Sequence, residues 1–260
     1  MPESTKLDRD PAPAVTRSIR ILGLLVESRG TAVGISEISR SLDIAKSSVS
    51  NICSVLEAGR LIQKRDAGYV LGHRTVELGG AYLASFDQVQ EFYRLCAGSQ
   101  VLSHELVQLA MLDGTEVLFL GRHEGQAPLR LTASIGDRYP AATTAVGNAL
   151  LSLLDDDEIV RRFAGASHFP EFTDRSTRDL DDLLARLARA RDAGHAVDDG
   201  GVHPGVFGIA ITLAPRRHSE QFAIGVSLMK PNASSEHQAE VLTELKAIRT
   251  GLSNPLAAPA

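Results

Sequence analysis

Two sets of side chains in this 260-residue chain have the types and spacing to do chemistry. One lies along Ile44–Gly59, IAKSSVSNICSVLEAG, where Val49, Ile52, Cys53 and Leu56 recur at helical intervals and must face inward. That leaves Ser47, Ser50, Asn51 and Ser54 on the opposite face, with Lys46 and Ser48 at the helix start. Small hydroxyls, an amide and a cation on a slim helix can reach base edges and phosphates in a groove of DNA. The other set is His195, Asp198, Asp199 and His203, with Thr143-Thr144 at the start of a separate helix. Imidazoles and carboxylates could gather a metal or move protons, and hydroxyls beside free backbone N–H groups could hold a carboxylate.

Each reading has a plainer competitor. The first helix could be half of an ordinary helical hairpin. Thr144 could simply cap its own helix. The His and Asp spacing matches no fixed ligand pattern, Gly200-Gly201 would hold the partners loosely, and neither a Gly-rich phosphate loop nor a nucleophile elbow is present. No catalytic residue, metal or cofactor is therefore expected.

The elements around the first set favour DNA. Ile35, Ile38 and Leu42 mark a short helix, and the break Asp43-Ile44-Ala45 leads into a second helix at Ala45–Ala58. Two short helices, a tight turn and a polar outer face make a helix-turn-helix, whose second helix enters the major groove. Gly59 ends that helix, and Leu61-Ile62 begins a strand that returns through Val70-Leu71. The tip between them is a wing, where Lys64 and Arg65 would meet phosphate and Tyr69 joins the candidate contacts. Thr31-Ala32-Val33 is expected as a short strand paired with the wing, and Gly34 as the cap of the helix after it.

Along the chain, residues 1–14 are charged and Pro-rich, which predicts a disordered arm. The helix from Val15 is apolar on more than one side, so one side needs a partner such as a second subunit. A winged helix-turn-helix over 15–73 and a linker helix over 74–87 follow, with a soft Gly79-Gly80 in the linker where half-site spacing would be set. After a helical stretch from about Gln88 to His104, the period changes. Leu106–Leu112 and Val117–Leu120 flank Asp113-Gly114 as a hairpin. A third strand at Leu129–Thr132, a loop over Ser134–Pro140 and helices at Ala145–Leu154, from Asp155 and at Leu180–Ala193 come next. Strands at His195–Asp198, Phe207–Leu213 and Phe222–Met229, a helix from Ser235 to Arg249 and a loose tail over 252–260 complete the chain. The second domain, 88–251, is thus α+β on an antiparallel sheet.

Composition agrees with two parts of different character. The net charge of −5 divides into +2 over residues 1–83 and −7 over residues 84–260. A mildly basic small domain on a larger acidic one suits a regulator. No run of eighteen apolar residues and no export leader is seen, so a cytoplasmic protein without membrane contact is expected. Cys53 and Cys96, far apart and outside any CxxC, read as buried thiols.

The segments together resemble the IclR-type family of bacterial transcription regulators. The resemblance is carried by Ser18-Ile19-Arg20-Ile21-Leu22, Ile35-Ser36-Glu37-Ile38, Lys46-Ser47-Ser48-Val49, Tyr69-Val70-Leu71-Gly72 and Glu77-Leu78-Gly79. It continues in Pro128-Leu129-Arg130-Leu131, Ile135-Gly136, Pro140, Thr144-Ala145-Val146-Gly147, Gly194–Asp199 and Pro204-Gly205-Val206, covering roughly residues 15–250. It implies a GAF-like effector-binding second domain and a pocket at Leu131, Tyr139, Ala145, Val146, Asp198, Val206, Gly208, Ser227 and Met229, to which Thr144 is added from its place at the helix start. The chain departs from the family pattern at Ala45 and Ser50-Asn51 in the recognition helix, and at Ala142, Asn148, Gly200-Gly201 and Phe207-Gly208 around the pocket. Operator and ligand identity therefore do not carry over.

The expectation is a ligand-responsive, sequence-specific transcription regulator that binds double-stranded DNA as a homodimer or dimer of dimers. Its effector would be a small organic acid, with Tyr139 and Gly208 leaning toward an aromatic or bulky one. The alternative is a small-molecule-binding or metal-dependent enzyme domain with an accessory winged helix used for protein interaction.

Overall fold

Proline lacks the N–H that a first helical turn leaves unpaired anyway, so Pro13 opens the first helix, α1, at Pro13–Glu27, inside the stretch expected as an arm. The structure, a computed structural model, describes residues 10–125, 133–165, 168–213 and 220–253. These residues fall into two compact units, divided between Ser85 and Phe86.

In the first unit α2 (Ile35–Leu42) and α3 (Lys46–Ala58) are joined by a turn made at Asp43, which takes the left-handed conformation at φ 54°. Asp tolerates that region better than most residues. The Ser39 hydroxyl locks the turn by donating to the Ile44 carbonyl at 2.6 Å. Gly34 precedes α2 as an extended cap without a side-chain bond. The wing is β1 (Ile62–Arg65) and β2 (Gly68–Leu71), with Arg65 opposite Gly68 and a two-residue turn, Asp66-Ala67. Val33 bridges to Tyr69 as a third, minimal strand. Gly68 is required there: a Cβ would lie 2.4 Å from the Val33 carbonyl carbon. Ile21, Leu25, Ile38, Val49, Cys53 and Ile62 form the core.

The linker expected over 74–87 is divided. A helix α4 (Arg74–Ala84) runs unbroken through Gly79-Gly80, and extended backbone at Phe86 separates it from α5 (Asp87–Gly98). None of α4's residues is buried, although Val76, Leu78 and Tyr82 are apolar.

The second unit is built on one antiparallel sheet. Its strands are β3 (Leu106–Asp113), β4 (Glu116–His123), β5 (Arg138–Pro140), β6 (Ala196–Asp199), β7 (Val206–Thr212) and β8 (Phe222–Met229), in the order β5-β4-β3-β8-β7-β6. The first hairpin turns at Gly114-Thr115, with Gly114 at φ 65°. The strand expected at Leu129–Thr132 lies outside the described residues, whereas part of the expected loop, Arg138–Pro140, is the edge strand paired with β4.

Helices cover both faces. Strands β3 and β4 carry α5, and α9 (Ser235–Ser253) packs on β7, β8 and α5. Opposite them lie α6 (Ala145–Leu151), α7 (Asp156–Arg162) and α8 (Leu180–Ala193). Capping sets the ends of these helices. Asp155 and Asp179 accept N–H bonds at the starts of α7 and α8, and Gly194 closes α8 at φ 67°. The α6 side of the sheet is paved with small residues, Ala110, Gly208, Ala210, Ala223 and Gly225, so the helix comes close. A Cβ on Gly208 would lie 3.1 Å from that of Ala145, and one on Gly225 would lie 2.7 Å from Val146 Cγ1. No helix among the described residues is long and apolar enough to cross a membrane.

Candidate functional site

The first site is the outer face of α3. Lys46, Ser47, Ser50 and Asn51 are exposed, and Ser48 is half-buried where the Arg17 guanidinium of α1 donates to its hydroxyl at 3.3 Å. Ala45 has no side-chain acceptor to cap the helix start, so the first N–H groups of α3 find no side-chain partner in their cap residue. At the wing, Lys64 and Arg65 are exposed beside the turn. Tyr69 corrects the expectation: at 6% exposure its ring belongs to the core under the Val33 bridge, and burial raises its phenol above the usual value. Sequence reasoning missed two residues here. Arg17 comes from another helix, and only folding brings it to Ser48. Val55, 73% exposed, was legible four residues after Asn51 on the same helical face.

The second site is a cavity of about 70 Å³ between α6 and the small-residue face of the sheet. Tyr139, Thr144, Ala145, Val146, Asp198, Val206, Gly208 and Ser227 all line it. Leu131 lies outside the described residues. Met229 is a correction: it ends β8 two residues beyond Ser227, is 41% exposed and does not line the cavity. Gln108, Phe119, Ala133, Val202, His203 and Gly225 also line it. Of these, Gln108 and Gly225 were recoverable in principle, since two-residue alternation places them on the Ala110 and Ser227 side of their strands.

Polar groups in the cavity are few and mostly engaged. Gln108 donates through Nε2 to the Ala133 carbonyl at 3.0 Å and accepts the Ser227 hydroxyl at 3.3 Å. Thr144 Oγ1 accepts the Gly147 N–H at 3.1 Å, so it caps α6 and lines the cavity as well. Asp198 is buried, accepts the Gly201 N–H at 2.6 Å, and has its carboxyl pushed up by burial to about 6. Gly201 is needed for that turn, because a Cβ would lie 2.6 Å from Asp198 Oδ1. The Gly200-Gly201 segment is firmly held: Thr173 and Ser176 hydroxyls donate to its two carbonyls, each at 2.7 Å. His203 Nε2 is buried and finds no partner among the described residues.

The His and Asp constellation does not assemble. Strand alternation sends Asp198 inward and Asp199 outward, where Arg175 and Lys230 pair with it. His195 lines a different, polar groove on the outside of β6 and α8. Among the described residues no group of three or more His, Cys, Asp and Glu could hold a metal. Asn148 is a buried structural residue whose amide donates to the Ala142 and Thr144 carbonyls at 3.2 and 2.9 Å. Phe207 points away from the cavity, on the β7 face opposite Gly208, and does not fill the space above that glycine. Both cysteines are buried, and burial pushes the Cys96 thiol up to about 12.

A winged helix-turn-helix followed by an α+β domain with a small, mostly apolar cavity defines a ligand-responsive DNA-binding regulator. Residues 14–66 match the IclR helix-turn-helix domain, and residues 82–254 match the bacterial transcriptional regulator IclR C-terminal domain. The chain is 31% identical over 218 residues to the HTH-type transcriptional repressor AllR of Salmonella typhi, covering 83% of this chain and 79% of that one. The repressor BlcR of Agobacterium tumefaciens is 30% identical in its crystal structure, with a TM-score of 0.60 over 97% of this chain and all of BlcR (100%). An IclR homologue from Microbacterium hydrocarbonoxydans, crystallised with 4-hydroxybenzoate, shares the fold at a TM-score of 0.78 and 22% identity over 92% of this chain and 98% of that one. This chain belongs to the IclR family of bacterial transcriptional regulators. It carries the family's DNA-binding and effector-binding domains.

Proposed function

We propose that the chain is a cytoplasmic, non-enzymatic regulator that acts as a homodimer or dimer of dimers and changes its DNA affinity when a small organic acid enters the α6 cavity. The observation that carries this reading is the cavity itself. Its walls are mostly apolar with a few oriented polar groups, as in small-molecule sites. Thr144, Asp198 and Ser227 supply the polar contacts, and Ala145, Val146, Val206 and Gly208 the walls. About 70 Å³ is under half of the about 150 Å³ that encloses benzene in an engineered apolar cavity, so the space suits a short acid as it stands. An aromatic acid, such as the one bound by the Microbacterium homologue, is larger than this space and requires the lining to move.

Lys46, Ser47, Ser48, Ser50 and Asn51 present the groove-facing surface, with Lys64, Arg65 and Arg17 on phosphate. Exposed Val15, Ile19 and Val26 on α1 and Val76 and Leu78 on α4 supply apolar surface for a second copy. The acid shifts DNA affinity only through unequal binding to two arrangements of the assembly.

The test is a titration against DNA from the protein's own upstream region at two salt concentrations, with and without short and aromatic acids. Selective binding altered by one acid is expected. In the Lys64→Ala, Arg65→Ala variant, affinity for all sequences should fall, and the salt slope should drop by about one for each phosphate left without its cation. Equal affinity for random DNA at both salts overturns the reading.

A further inference from the structure

The cavity sets an electrostatic problem for an acid. Its described lining contains one carboxylate, Asp198, and neither Lys nor Arg. A second carboxylate in the same narrow space places two like charges together, and such pairs keep one proton between them. Among the described residues no Lys or Arg lines the cavity, and Arg122, whose guanidinium donates to the Ala133 carbonyl at 2.7 Å behind the wall, is paired with Glu124. On β6, Asp199 adds negative charge, although Arg175 and Lys230 engage it. From α8, Arg186 is felt at Asp198 but is paired with Asp182. The segment after β6 brings the Gly201 and Val202 N–H groups and His203, whose Nε2 has no partner among the described residues. Thr144 at the start of α6, Gln108 on β3 and Ser227 on β8 are neutral.

We propose that a carboxylic acid enters this cavity together with one proton from solution, held between the acid's carboxylate and the Asp198 carboxylate. This rests on the reading of the cavity as the effector site. The Asp198 O–H then donates to an oxygen of the bound acid, while Oδ1 keeps accepting the Gly201 N–H. His203 Nε2 offers the acid a further polar contact. Burial pushes the Asp198 carboxyl up to about 6, which leaves it mostly ionised at neutral pH in the free protein. Binding at neutral pH therefore requires proton uptake, and binding at pH 5 does not.

The test is isothermal titration calorimetry on the full chain with pyruvate, lactate, butyrate, succinate, 4-hydroxybenzoate and their neutral amides. It is run in phosphate and in Tris, whose ionisation heats differ. An acid that binds should take up about one proton at pH 7.5, and its affinity should fall about tenfold per pH unit between 7 and 8, flattening below pH 6. Amides should bind without uptake. Asp198→Asn, which keeps the acceptor for Gly201 and offers an N–H to the acid, should bind with neither uptake nor pH slope. Acid binding to the unaltered chain with no buffer-dependent heat overturns the proposal and leaves the effector reading standing. Uptake that persists in Asp198→Asn does the same. Binding of none of these compounds removes the effector reading and the proposal together.

Discussion

The two faces of the C-terminal sheet are built from opposite halves of one alternation, and they do different work. Strand β7 runs Gly208-Ile209-Ala210-Ile211, and β8 runs Ala223-Ile224-Gly225-Val226-Ser227-Leu228. The bulky members, with Leu109 and the Phe92 ring of α5, fill the side under α5 and α9. The small members face α6, which approaches until side chains touch and leaves only a narrow space lined by Asp198 and Ser227. A strand can thus store stability on one face and ligand chemistry on the other, because successive side chains never share a face.

The comparison breaks most visibly on the bulky side. Leu109→Ala removes a fully buried side chain packed beside Gly121 and Phe92, and should cost about 2–5 kcal/mol in urea unfolding. Acid binding by the folded fraction should persist. A loss well under 1 kcal/mol would mean that this face is not where stability lies.

Asp198→Asn acts in the opposite direction. The folded-state carboxyl is raised from 3.8 to about 6, so the stability tied to its protonated form is complete below pH 4 and lost as pH rises through 6. Above pH 7 the buried carboxylate costs on the order of 3 kcal/mol, which the amide avoids. Urea midpoints at pH 5 and pH 8 should show the variant's advantage growing with pH. Parallel midpoints for the two proteins would show that Asp198 carries no such penalty.

The smallest effect is expected from Gly225→Ala. Its new Cβ meets Val146 Cγ1 at 2.7 Å and the Ile209 carbonyl oxygen at 3.2 Å, an overpacking of about 1–3 kcal/mol. The informative readout is functional: the acid response should disappear while DNA binding remains. An unchanged response would place the effector elsewhere.

Much of this architecture was legible in the chain because it follows local rules. Apolar spacing located α2 and α3, and α8 matched its expected ends because Asp179 and Gly194 cap it. The hairpin of β3 and β4 followed from apolar runs around a glycine. Other features depended on distant partners. Arg138–Pro140 is too short to signal a strand, and becomes one only because β4 offers an edge. Tyr69 looked available on a wing, yet the Val33 bridge covers it. Asp198 and Asp199 looked like a pair, and the sheet separates them.

By itself, the sequence determined the helix-turn-helix, the wing cations, the antiparallel domain and the membership of one family, all of which rest on periodicity, caps and turn residues acting over a few positions. Tertiary structure alone decided that Arg17 meets Ser48, that Met229 stays outside the cavity, and that Asp198 lines one narrow cavity with His203 and with no cation among its described lining. Those outcomes turn on distances between residues far apart in the chain, and the sheet's register and α6's close approach set those distances.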